Sequence, residues 1–267
     1  MLSIVDIKKE LGTNIYIYPI HSDSIKPNSI DLHVSKFGWS VKTKAALKRN
    51  VNHIIIPAND TALLYTEESV FVSDKIGGSF HSKVTLVSLG LGHISTTLDA
   101  TYVGNLLIAM HNHSNHDISL KIGQELISLH LFYLNTPSYT EQTNDPGHPR
   151  MLNGFEKQSV DEYISWRDEN QWNTDQRLLY TKMLSSTGFK QCKSEYVDEL
   201  KKFSKHKIWH MAKNRIFWIT LLALVAFILA IPAYFIDFGD SSHFLAKLCE
   251  TFIYPVFAGF LIAKLIS

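Results

Sequence analysis

Residues 98–131 run LDATYVGNLLIAMHNHSNHDISLKIGQELISLHL. Apolar runs at 105–111, 117–120 and 126–133 are separated by Asn112, Ser114 and Asn115, and then by Gly123. Short runs bounded by Gly, Asn, Asp and Ser are the pattern of antiparallel strands. The same pattern extends back through residues 14–18, 29–34, 53–56, 61–65, 69–72 and 85–89. It predicts a mainly β domain over residues 1–135, built as a barrel or distorted jelly roll. One helix is predicted at 5–11, with Asp6 at its start and Gly12 as its stop.

The 267 residues carry 26 Lys and Arg against 25 Asp and Glu, a net charge of +1. That balance argues against a nucleic-acid partner held by neutralising many phosphates. The charges are unevenly spread: from residue 216 onward only Lys247, Lys264, Asp237, Asp240 and Glu250 occur. Two cysteines, Cys192 and Cys249, exclude a disulfide framework. The opening residues lack a basic stretch followed by an apolar one, so no signal peptide is expected.

Residues 216–236 form an uncharged run of 21 residues. At about 1.5 Å per residue it spans roughly 31 Å, matching a hydrocarbon core of about 30 Å. A second span is expected at about 248–266, where the uncharged part is shorter and a re-entrant helix is the alternative. Lys201, Lys202, Lys205, Lys207, Lys213 and Arg215 precede the first run, whereas the loop 237–243 has two acids and no Lys or Arg. The positive-inside rule then predicts a transmembrane hairpin at 216–267 in the inner membrane, with the N-terminal domain and the C-terminus cytoplasmic.

Between the two lies a helical connector, 136–215. Ser159 and Glu162 have the spacing of a capping box opening a helix through Trp166. A second helix is expected at 174–184, ended by residues 185–188. Val197, Leu200, Phe203, Ile208 and Met211 then recur at mostly helical spacing. That stripe either packs on the β domain or forms a stalk to the membrane.

Three blocks resemble one superfamily. DIKKELGTNIYIYPI (6–20) with SIKPNSIDLHVS (24–35), HSKVTLVSLGL (81–91), and the 98–131 stretch are similar to the dCTP deaminases and dUTPases. The resemblance implies a trimeric dUTPase-like β fold whose nucleotide sites lie between subunits. Asp99 would hold the deoxyribose 3′-hydroxyl, and in dUTPases this Asp orients the attacking water. Tyr102 would pack under the sugar and disfavour a 2′-hydroxyl. Backbone at 95–98, with Thr97 and Leu98, would read the pyrimidine edge. On the phosphate side the family's arginine and serine fall on Lys83 and Val84, and a second arginine on Ser88. A two-residue shift would bring His81 and Ser82 there instead.

Other positions depart from the family. Its catalytic glutamate falls on Ala109, its phosphate-contacting glutamine on Ser128, and residues 135–154 hold no Gly-rich arm. The candidate nucleotide-binding set is therefore Ser82, Lys83, Ser88, Thr97, Leu98, Asp99 and Tyr102, with no catalytic group assigned. No cofactor is expected beyond magnesium accompanying a bound nucleotide. His111, His113 and His116 are expected to be turn histidines rather than metal ligands.

These readings combine into one expectation: a non-catalytic, homo-oligomeric nucleotide sensor controlling a membrane-disrupting hairpin. Its ligand would be a deoxypyrimidine triphosphate or a cyclic nucleotide and its other partner the lipid bilayer. The layout is similar to that of bacterial antiviral membrane effectors. A membrane-anchored dUTP or dCTP hydrolase or deaminase that lowers the dNTP pool, and a ligand-free trimeric scaffold, are the alternatives.

Overall fold

The computed structural model describes residues 1–93, 96–138 and 147–202, together with residues 204, 218, 221 and 225. Met1–Lys201 form one compact unit and Lys202–Ser267 a second. Among the described residues no helix is long and apolar enough to cross a membrane. The segments expected to do so, 216–236 and 248–266, lie outside the described residues except at 218, 221 and 225.

The chain opens with α1 (Ile4–Glu10), whose first turn closes on itself. Ser3 Oγ accepts from the Asp6 amide at 3.2 Å, while the Asp6 carboxylate accepts from the Ser3 amide at 3.0 Å. This reciprocal box satisfies two donors that a helix start leaves unpaired. Gly12, at φ 81°, turns the chain into the sheet.

Eleven strands follow among the described residues: β1 (Ile15–Tyr18), β2 (Ile30–Ser40), β3 (Arg49–Asn50), β4 (His53–Ile56), β5 (Thr61–Val72), β6 (Ile76–Ser82), β7 (Leu91–His93), β8 (Thr97–Leu98), β9 (Val103–Asn112), β10 (Ile118–Lys121) and β11 (Glu125–Tyr133). The larger sheet runs β7-β9-β5-β2-β11-β6-β8 with β1 added to β5, and a smaller one runs β10-β4-β3. Every strand pair is antiparallel. The mainly β expectation for this half holds. Its interior is aliphatic, with Ile30, Leu32, Leu64, Ile108, Met110, Ile127, Leu129 and Leu131 all buried.

Three local expectations need correction. Residues 61–65 and 69–72 are one strand, because β5 bulges against β9 between Tyr65 and Ser69. Thr66 fills the gap: its hydroxyl donates to the Glu68 carbonyl at 2.8 Å and accepts from the Leu106 amide at 3.1 Å. The strand expected at 85–89 is instead α2 (Val84–Val87), a single turn burying only Leu86. A unit that short shows no helical period, so the sequence resembled a strand. β6, with Gly77 and Gly78 in its middle, was not expected at all.

The helices beyond residue 147 pack on this sheet. α3 (Lys157–Glu169) starts two residues before Ser159, and its N-cap, Glu156, makes no side-chain cap. Ser159 is no cap either; it is buried, donating to the Glu156 carbonyl at 2.9 Å and accepting from Trp39 Nε1 at 2.9 Å. α4 (Gln176–Ser185) is capped by Asp175, whose Oδ1 accepts from the amides of Arg177 and Leu178 at 2.7 and 2.9 Å. The chain breaks at Ser186, and residues 187–202 are helical again. Tyr163 and Leu152 join an aromatic cluster with Phe37, Trp39 and Tyr65. Met183 and Cys192 enter the aliphatic core. Of the expected apolar stripe, Val197 and Leu200 are exposed, and Phe203, Ile208 and Met211 lie outside the described residues.

Candidate nucleotide site

β8 is two residues long and hangs on β6 through Gly78↔Leu98 and Ser79↔Thr97. Immediately after it the chain reverses. The Tyr102 amide donates to the Asp99 carbonyl at 3.3 Å, and Thr101 sits at φ 65°. Asp99, the first residue of this β-turn, is exposed, with Thr97 Oγ1 donating to its Oδ1 at 3.4 Å. Leu98 and Tyr102 are buried. The Tyr102 hydroxyl donates to the Asn105 carbonyl and accepts from the Gly147 amide at 3.3 Å. Of the backbone expected to read a base, residue 95 lies outside the described residues, while the Thr96 carbonyl accepts from the Phe80 amide at 3.2 Å.

On the phosphate side, Lys83 caps the end of β6. Its Nζ lies 2.6 Å from Asp31 Oδ2 and 2.8 Å from Glu125 Oε2. Lys26 reaches the same two carboxylates at 3.5 and 3.1 Å, and Ser128 Oγ donates to Asp31 Oδ1 at 2.6 Å. Burial alone would lower the Lys83 ammonium; the hydrogen bonds to Asp31 and Glu125 override it and leave the pKa raised. The bond from Lys83, followed by that from Lys26, pulls the Glu125 carboxyl from 4.5 down to about 2. Two lysines facing two carboxylates have no net charge left with which to attract an anion.

Ser82 is taken up by His93: its Oγ accepts from the His93 amide at 3.2 Å and lies 3.2 Å from His93 Nδ1. Ser88 is exposed and donates back to the Thr85 carbonyl at 2.9 Å, within its own turn. Thus Asp99, Thr97, Leu98 and Tyr102 come together as one turn, and Ser82 and Lys83 lie further along the β6 edge. The position matched to the family glutamate, Ala109, lies in β9 opposite Leu63.

Histidines absent from the expected set also gather here. The rings of His81 and His130 are 4.5 Å apart at 71°. Burial, and then the neighbouring His81, lower the pKa values of both His93 and His130. The pairing of β6 with β11 places Ser79 opposite His130 and His81 opposite Ser128. Alternation along both strands was the signal that puts these side chains on one face, but β6 had to be recognised first. Asp31 and Glu125 were missed because β2 and β11 meet only through the fold. Among the described residues no group of three or more His, Cys, Asp or Glu is arranged to hold a metal. His111 instead shares a 2.8 Å contact with Thr61 Oγ1, and its ring lies 4.2 Å from that of His113.

The antiparallel sheets and the Asp99–Tyr102 turn fall within the part of the chain that a family model matches. The chain belongs to the dCTP deaminase-like family, whose model matches residues 1–134. It is 28% identical over 138 residues to the dCTP deaminase of Thermococcus gammatolerans, covering 52% of this chain and 85% of that protein. To the dCTP deaminase of Pyrococcus horikoshii it is 28% identical over 131 residues, covering 49% and 81%. Among solved structures, the EIAV dUTPase is similar at a TM-score of 0.36 and 19% identity, over 49% of this chain and 98% of that one. The dCTP deaminase from Agrobacterium tumefaciens is similar at 0.41 and 14% identity, over 49% and 46%. The helices from residue 157 onward fall outside the family match.

Proposed function

We propose that this chain binds a nucleotide without deaminating it, as a homo-oligomer, and passes the binding state to a membrane hairpin formed by residues 216–267. The observation that carries the non-catalytic part is Ala109. Hydrolytic deamination adds water at C4 of cytosine and expels ammonia, and each step needs a proton moved by a positioned acid or base. A methyl group at the position matched to the family glutamate moves none. The closed ion-pair cluster around Lys83 supports the same conclusion, since it weakens the grip on a triphosphate. What favours a retained ligand is the Asp99–Tyr102 turn, complete on the sugar side. The uncharged run at 216–236 and the basic residues before it support the inner membrane as the location, with the β domain in the cytoplasm. Permeabilising that membrane in antiviral defence is the role this layout suits.

The test is a thermal-shift series on the full chain in detergent, against dCTP, dUTP, ribonucleotides and cyclic dinucleotides, with chromatography of each mixture. A ligand at 100 times its Kd adds about 2.7 kcal/mol of stability, well within range of the method. A shift with unchanged nucleotide is the expected result. Release of ammonia or of a hydrolysed phosphate would make this an anchored pool-depleting enzyme. Extraction of the chain from membranes by alkaline carbonate would end the membrane part.

A further inference from the structure

The family match ends at residue 134, yet the chain returns to the candidate site at Gly147 and His148. Both have positive φ, 71° and 50°. In His148, which has a Cβ, this conformation is unfavourable, and the neighbouring Gly147 is anchored by tyrosines. The Gly147 amide donates to the Tyr102 hydroxyl at 3.3 Å, and the Gly147 carbonyl accepts from the Tyr65 hydroxyl at 2.5 Å. A Cβ at position 147 would stand 2.5 Å from the Tyr163 hydroxyl, so only glycine fits there. Tyr65 and Tyr163 are themselves stacked, with centroids 4.1 Å apart. Held this way, the corner sets the His148 ring 5.8 Å from that of Tyr102, and Tyr102 is left 7% exposed.

We infer that the 147–148 corner is an autoinhibitory contact that occupies the ligand's place on Tyr102. The inference rests on Tyr102 being the residue a bound sugar packs against, as proposed above. A nucleotide and the corner then compete for one aromatic surface. Binding shifts the corner off only by the difference in affinity between the two states, and the apparent affinity is reduced by the fraction of chains that are open. Tyr163 lies in α3, so displacing the corner disturbs the contact that joins that helix to the site.

The variant that isolates the ring is His148→Asn, because Asn tolerates a left-handed backbone and leaves the corner's own hydrogen bonds in place. Titration calorimetry with dCTP on the full chain in detergent gives the primary readout. His148→Asn is expected to bind dCTP about five- to tenfold more tightly than wild type, the factor set by an open fraction of roughly 0.1–0.2. Hydrogen exchange gives the second readout: saturating dCTP is expected to speed exchange at the Gly147 amide. Equal dCTP affinity in the two proteins, weaker binding by the variant, or slower Gly147 exchange would each overturn the contact as inhibitory. In those cases dCTP still binds, so the nucleotide proposal survives. If dCTP binds neither protein, the same comparison is made with whichever of dUTP, the ribonucleotides or the cyclic dinucleotides binds; absence of binding by all of them would remove the nucleotide proposal and this inference with it.

Discussion

The sheet and the helices beyond it are held together in opposite ways. Within residues 1–133 stability is spread over many aliphatic side chains from non-local strands, none of which stands out. The helical part from residue 147 onward attaches through a few large anchors: Tyr163 in an aromatic cluster, Met183 and Cys192 in the main core, and Leu179 against Phe71 and Val103. Lys8, buried in α1, adds ion pairs to Glu195 and Glu199 at 2.9 and 3.0 Å. The helical part therefore depends on a short list of side chains, most of which lie outside the part matched to the family.

The strongest way to break that contrast is Tyr163→Ala. Removing a fully buried ring that stacks on Tyr65 should cost about 3–5 kcal/mol. Urea unfolding followed by tryptophan fluorescence measures it; a loss under 1 kcal/mol would mean that α3 is not anchored there. Next comes Gly188→Ala. A Cβ there would lie 1.8 Å from the Ile20 carbonyl oxygen, a backbone atom that cannot rotate away. Forced separation should cost about 1–3 kcal/mol, seen as a lower thermal midpoint.

A pH titration tests the sheet side. The Glu125 carboxyl, held at about 2 against an ordinary 4.5, supplies stability that is fully present above about pH 4.5. That contribution is lost as pH falls from 4.5 toward 2. Glu125→Gln should therefore be less stable than wild type near neutrality and converge with it in acid, as urea midpoints from pH 2 to 6 would record. Convergence on raising the pH instead would contradict the Lys83–Glu125–Asp31 cluster. Asp99→Ala should have the smallest effect on folding. Asp99 is exposed, so stability should change by no more than about 0.5 kcal/mol. The proposed nucleotide binding should fall at least tenfold, and calorimetry on the full chain separates these two outcomes.

Much of the sheet was legible because alternation and turn residues are local signals. Strands such as β1, β4, β10 and β11 and the helix α1 were visible in sequence to within a few residues. The failures have local causes too. Thr66, Glu67 and Glu68 interrupt the apolar run, but Thr66 absorbs the extra residue of a bulge and the strand continues. α2 is too short to show a period, and Gly77 and Gly78 hid β6. At the site, the Asp99–Tyr102 turn was legible because four adjacent residues build it. The partners of Lys83 were not: Asp31 lies 52 positions away and reaches it only once β2, β11 and β6 are assembled side by side. The same holds for Gly147, whose contacts with Tyr65 and Tyr102 span 82 and 45 positions.

One contact has a practical consequence. The amide of Ile17, in the middle of β1, donates to Met183 Sδ at 3.4 Å rather than to another strand. β1 pairs with β5 on one side only, so its sequence Ile-Tyr-Ile-Tyr would otherwise be an open template for a neighbouring molecule. α4 is thus a guard against self-association as well as a packing element. A fragment trimmed at the end of the family match would lose that guard and tend to stack edge to edge. Expression of the β domain should therefore carry the chain through α4 and past the buried Cys192.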